Sequence, residues 1–327
     1  MNLFDSLQQQ DGQWPDVIRQ LLPRTHAVDR DALRIWFGLW PLPWHALAQN
    51  PASRPQFEKF YQVNGAYRLL DQVDTSHEFL YGHRYWAVVK AAIGTARGGT
   101  DLRETVEAVA QASQAPAEFS LAMAAIGLMT LRQTGWDGWE SPANAEAAKA
   151  VTNRVTARGH PADQVLRSRA SDFAPSLGER LRGKRSTPRV ICEEQTADGW
   201  FPLIPSQHIT TAAELDKRPH HLRDPRCYEG MGIIPVDCRS GACGTCWVGV
   251  LGGQEKLSEI TPFERQRMDY FGYFDAPGLD TESSRPLLRL ACQAQAFGSV
   301  SIVIPPWNAV WGRSRRERAG EDATITL

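Results

Sequence analysis

No stretch of this chain is apolar for long enough to cross a bilayer. The longest, FSLAMAAIGLMTL from Phe119 to Leu131, falls well short of the roughly 20 residues required and includes Ser and Thr. It is expected to be a buried helix. The absence of a transmembrane segment leaves room only for peripheral attachment to a membrane complex. Neither sign of charge is in excess, with 36 Lys and Arg against 37 Asp and Glu and a formal net charge of -1. Nucleic-acid binding usually needs a marked basic surplus to neutralise phosphates, so no nucleic-acid partner is expected. The opening MNLFDSLQQQDGQW has neither a basic flank leading into an apolar run nor twin arginines, which predicts a cytoplasmic location. Cysteine is scarce, six in 327 residues. In an intracellular chain such a set points to metal binding ahead of a disulfide framework.

Nucleotide signatures are missing as well. No G-x-G-x-x-G follows a strand, and no alternation of strands and helices exists to hold a nicotinamide or flavin nucleotide, so a built-in reductase is not expected. The N-terminal half has no pair of Glu-x-x-His segments, which disfavours a di-iron carboxylate oxygenase. Neither a repeat of 20 to 50 residues nor a low-complexity tract is found.

What is present divides in two, as a chain of this length usually does. Up to about residue 180, apolar residues recur at three- and four-residue intervals in WPDVIRQLL, DRDALRIWFGLW, FEKFYQVNGAYRLLDQV, HEFLYGHRYWAVVKAAI, DLRETVEAVAQA, AEFSLAMAAIGLMTLRQ and NAEAAKAVTNRVTA. An all-α helical bundle over residues 1–180 is the simplest packing. Thr100 and Asp101 with Glu104 signal a helix start, and Gly135 a helix end. SDFAPSLGERLRGKRSTP, from Ser171 to Pro188, has the composition of an interdomain linker. Beyond it PRVICEE, WFPLIPS, TCWVGVLGG and VSIVIP read as strands and TPFERQRMDYFGYF as a helix, giving a small α+β domain over residues 188–312. Residues 313–327 form a tail that is expected to be disordered.

The chemistry concentrates in CRSGACGTC, residues 238–246. Cys238, Cys243 and Cys246, with Cys292 in RLACQ, make C-x4-C-x2-C followed by a distant C, the spacing of plant-type [2Fe-2S] clusters. A loop this short wraps a cluster only if its backbone hugs the inorganic core. Gly241, Ala242 and Gly244 allow that, since small residues let amide N–H groups reach the sulfides. The alternative is a zinc site of four thiolates, which generally presents two separated C-x2-C knuckles. Cys192 and Cys227 are expected to be packed thiols. Asp237, next to the first cysteine, either opposes added negative charge at the site or is a solvated loop carboxylate.

On these features, residues from about 188 to 307 resemble the plant-type [2Fe-2S] ferredoxins: opening strands, the CRSGACGTC loop, the strand and Gly-Gly turn after it, and RLACQ ahead of a final strand. The resemblance implies a β-grasp fold and low-potential one-electron transfer. It also implies a [2Fe-2S] cluster held by Cys238, Cys243, Cys246 and Cys292, with Gly241 and Gly244 lining it. Two segments depart from the family, HITTAAELDKRPHHLRDPRCYEGMGIIPVD before the loop and YFDAPGLDTESSRP before the last cysteine, and they bear on which partner is recognised. Four thiolates leave no open coordination position, which favours a carrier over an enzyme, and no catalytic residue is assigned. The expected partner is a redox protein, a reductase or an acceptor enzyme, chosen by the helical domain. A fixed electron-transfer subunit of a larger complex, or an iron–sulfur enzyme component with an active site among the helices, are the alternatives.

Two further features bear on the partner. Glu264, Asp269, Asp275, Asp280 and Glu282 form a candidate acidic docking surface, against the simpler reading of solvated charges. In HEFLYGHRYW, His77 and His83 lie six apart, on different sides of a helix, which weakens a shared-metal role and favours hydrogen-bonded core or interface histidines. The aromatics of LWPLPWH and Trp86, Trp136 and Trp139 are expected mainly in the core.

Overall fold

The computed structural model describes residues 2–39, 73–74, 77, 79–140, 162–172, 177–183, 187–192, 199–222, 227–270 and 280–305. The described chain divides into two compact units, one reaching Ala162 and one starting at Asp163. The expected helices within FEKFYQVNGAYRLLDQV and NAEAAKAVTNRVTA, the segment from Trp40 to His45, Asp275 and the C-terminal tail all lie outside the described residues, apart from Val73.

The first unit is helical: α1 (Leu3–Gln9), α2 (Trp14–Leu21), α3 (Arg30–Leu39), α4 (Trp86–Thr95), α5 (Leu102–Ala112) and α6 (Ala117–Trp139). Asp101 caps α5, its carboxylate accepting from the N–H groups of Arg103 and Glu104. The apolar run is the central helix, because every residue of α6 from Phe119 to Leu131 is buried. A helix apolar all round has no wet face to offer and must be surrounded. It packs on α1, α4 and α5. Gly127 lets α4 approach closely, since a Cβ there would lie 2.5 Å from the Ile93 side chain. The helix kinks at Gly135 (φ 67, ψ 179) and continues to Trp139, past the stop the sequence suggested.

Among the described residues of HEFLYGHRYW no α-helix starts before Trp86. α4 begins only at Trp86, preceded by a single 3-10 turn over His83–Tyr85, and Gly82 sits against Phe119 where a Cβ would come within 3.3 Å. His77 is fully buried and stacks on Trp86 at 4.1 Å between ring centres. Beside it Asp74, also fully buried, accepts from Trp86 Nε1 at 2.9 Å and Lys90 Nζ at 2.8 Å.

The second unit is built on a five-stranded sheet with the order β2-β1-β7-β4-β5: β1 (Arg189–Cys192), β2 (Gly199–Pro202), β4 (Trp247–Gly252), β5 (Leu288–Leu290) and β7 (Val300–Val303). β1 runs parallel to β7, and the other neighbours are antiparallel. A second ladder joins β3 (Gln207–His208) to β6 (Gln295–Ala296). Val190, Phe201, Val248, Val250, Leu288, Leu290, Val300 and Ile302 bury their side chains in this core. Helices α7 (Ala162–Ser168) and α8 (Leu177–Leu181) precede the sheet, α9 (Ile209–Ala213) follows β3, and α10 (Pro262–Tyr270) lies between β4 and β5. The chain after α7 is stitched to the sheet: Ala170 N–H donates to Ser301 Oγ, Ser299 N–H to Asp172, and Lys256 Nζ to the Ala170 carbonyl.

Candidate metal centre

Strand register brings the four expected cysteines together. Cys246 immediately precedes β4, and Cys292 lies two residues beyond β5. Trp247 pairs with Leu290, and the Ala291 N–H donates to the Cys246 carbonyl at 2.9 Å, so the ladder delivers Cys246 and Cys292 side by side. The loop from Cys238 then folds back over them. Its tip, at Ser240 and Ala242, is exposed, Cys238 is half-buried, and Cys243, Cys246 and Cys292 are buried.

The thiols form two pairs. Cys243 N–H donates to Cys238 Sγ at 3.3 Å. Burial raises the Cys238 thiol, but hydrogen bonds from Ser240 and Cys243 outweigh it and bring it down to about 7. Its neighbour Cys243 is pushed up by burial, against hydrogen bonds from Thr245, with the hydrogen bond to Cys238 and then its charge adding to the rise. In the other pair Cys246 donates to Cys292, which raises Cys246 and lowers Cys292, and the Gly241 N–H also favours the Cys292 thiolate. Each pair therefore sets two sulfurs side by side, with hydrogen bonds that favour negative charge on one of them. A two-iron cluster with four cysteines asks for two thiolates per iron. The donor set thus fits a [2Fe-2S] cluster.

Gly241 and Gly244 both adopt positive φ, +77 and +70. At Gly241 a Cβ would also lie 2.9 Å from the Phe263 ring, so that ring closes directly over the loop. Gln293 Nε2 sits 3.5 Å from Cys292 Sγ. Asp237 accepts from Tyr228 Oη at 3.1 Å and Thr245 Oγ1 at 3.0 Å, so this carboxylate is anchored within the loop. Cys192 and Cys227 are buried, and Cys227 Sγ donates to the Ile233 carbonyl.

The supports of the site were not evident from the cysteines. Glu264, one of the expected docking acids, is fully buried: its carboxylate takes Arg289 Nε at 2.9 Å, Arg289 Nη2 at 2.8 Å and the Leu290 N–H at 2.9 Å. It holds β5, hence Cys292, and is withdrawn from the acidic surface, of which Asp269, Asp280 and Glu282 are exposed. The signal lay in Arg289, a charge inside the apolar PLLRLAC, where only a buried acid can compensate it. On the same helix Arg267 donates to the carbonyls of Gly241 and Ala242.

Residues 227–296 match a family model described as the 2Fe-2S iron-sulfur cluster binding domain. The group that this domain binds is a [2Fe-2S] cluster. The match leaves the first unit outside it, and no solved structure matches the chain.

Proposed function

We propose that this chain, with its [2Fe-2S] cluster binding domain at residues 227–296, is a cytoplasmic one-electron carrier whose helical unit selects its redox partner. In this reading residues 188–312 form a β-grasp domain. The observation that carries it is the arrangement of the four thiols as two neighbouring pairs, Cys238 taking the Cys243 N–H and Cys246 lying beside Cys292 across the β4–β5 ladder. Cys238 and Cys243 would hold one iron, Cys246 and Cys292 the other. When bound, the cluster takes up and releases single electrons.

The chain's own residues do the rest. Amides of Cys243 and Gly241 neutralise thiolate charge, burial keeps water from Cys243, Cys246 and Cys292, and the exposed tip at Ser240 and Ala242 brings a partner nearest to the half-buried Cys238. Electron carriers commonly meet partners through small surfaces around such a site.

The test is direct. Purified protein should contain two irons and two sulfides per chain, and its reduced form should give the rhombic paramagnetic signal of a [2Fe-2S] centre. Cys243→Ser should lose the cluster, whereas Cys227→Ser should keep it. Colourless wild-type protein with one zinc per chain, or bleaching by Cys227→Ser, would sink the assignment.

A further inference from the structure

Arg267 is on α10, outside the cysteine motif, yet it reaches into the loop. Its Nη2 donates to the Ala242 carbonyl at 2.5 Å and its Nε to the Gly241 carbonyl at 3.4 Å, while its guanidinium lies 4.6 Å from the centre of the Tyr270 ring. These are consecutive peptide groups in the tip of CRSGACGTC. In a planar trans peptide the C=O and the following N–H point to opposite sides. Drawing the Gly241 and Ala242 carbonyls toward α10 therefore turns the N–H groups of Ala242 and Cys243 the other way, into the loop. The Cys243 N–H does point inward, donating to Cys238 Sγ at 3.3 Å.

We propose that Arg267 is a positioning residue for the cluster, one that orients the sulfur-facing amides through their carbonyls and holds the reduction potential up. Two effects act in the same direction. A peptide polarised at its carbonyl is a stronger donor at its N–H, so each amide stabilises charge on sulfur better than it would alone. The guanidinium is also a cation and compensates the negative charge that reduction adds. Potentials of such centres follow hydrogen bonds to sulfur and local charge. Lysine could supply the charge but not the planar fork that spans two carbonyls.

The inference rests on the [2Fe-2S] reading of Cys238, Cys243, Cys246 and Cys292, and the experiment separates the two. Iron, sulfide and the spectrum of the wild type are measured first; their failure refutes that reading. Redox titration followed by paramagnetic resonance then compares wild type, Arg267→Met, Arg267→Lys and Arg265→Met. Arg265 is the charge control, because it sits on the same helix but binds the carbonyls of Thr281 and Ser283. Arg267→Met should move the reduction equilibrium about tenfold against the reduced form, ~59 mV for a one-electron couple, and change the g-values. Arg267→Lys should lie between it and the wild type, and Arg265→Met should stay close to the wild type. If Arg267→Met loses the cluster while keeping its far-ultraviolet circular dichroism, the Lys variant carries the comparison. An unchanged potential and resonance in Arg267→Met, or in Arg267→Lys where that variant carries the comparison, overturns the proposal. So does an equal shift in Arg265→Met, which would reduce the effect to charge alone.

Discussion

Burial decides the protonation of His77. Its pKa is lowered well below the ordinary value by desolvation, with the charges of His83 and Lys90 adding to the effect. Among the described residues neither ring nitrogen has a hydrogen-bond partner. The folded state thus holds His77 neutral, while the unfolded state takes up a proton below about pH 6.5. Stability from this residue is complete above that pH and is lost as the pH falls toward the folded value, because the unfolded state then binds more protons. Between pH 7.5 and 5.5 the wild type should lose about 1.4 kcal/mol more than His77→Phe, in which the Trp86 stack is kept and the titration removed. Urea unfolding of the helical unit at the two pH values, followed by circular dichroism, checks this; parallel losses in the two proteins would contradict it. The sequence placed His77 on a helix, because period alone cannot reveal that Gly82 must yield to Phe119.

At the scale of elements, α10 joins the two parts of the metal centre. Its buried Glu264 grips Arg289 and Leu290 ahead of Cys292, and its half-buried Arg267 grips the loop that carries the other three cysteines. Breaking a buried ion pair from one side leaves an uncompensated charge and costs about 3–5 kcal/mol. Glu264→Gln should therefore lower the urea midpoint of the second unit and speed cluster bleaching, both read from the visible spectrum. The double change Glu264→Met with Arg289→Met should do less harm, because no buried charge remains. If the double variant bleaches faster than the single one, this account of the pair fails. That Cys238, Cys243 and Cys246 share one loop was legible because their spacing is a local property; Cys292 joined them only through the longer spacing of the family that the domain resembles, and the Cys243→Ser and Cys227→Ser variants test the set as ligands. Legible too were the helix itself and β1, β2, β4 and β7, whose apolar patterns are local. Glu264 and Arg267 were not, because what each meets is set by how α10 packs and not by its neighbours along the chain.

For the whole molecule, the division at Ala162 and Asp163 matters most. The segment from Arg169 to Asp172 reads as the end of the helical half and the start of a linker, yet it is hydrogen-bonded to β7 and to the turn after β4. A chain starting at Asp163 should keep the visible spectrum of the full protein. One starting at Pro188 discards those bonds and should unfold at lower urea, by a few kcal/mol at about 1 kcal/mol per net hydrogen bond. Equal urea midpoints for the two would show that the segment adds nothing. The sheet order has another consequence. β7 is the last of the described strands in the chain and lies at the centre of the sheet, between β1 and β4. During synthesis, until Val300–Val303 emerges from the ribosome, β1 with β2 and β4 with β5 have no partner along their inner edges. The nascent second unit is therefore exposed to edge-to-edge association until β7 is made, and its cysteines wait as long for a finished frame.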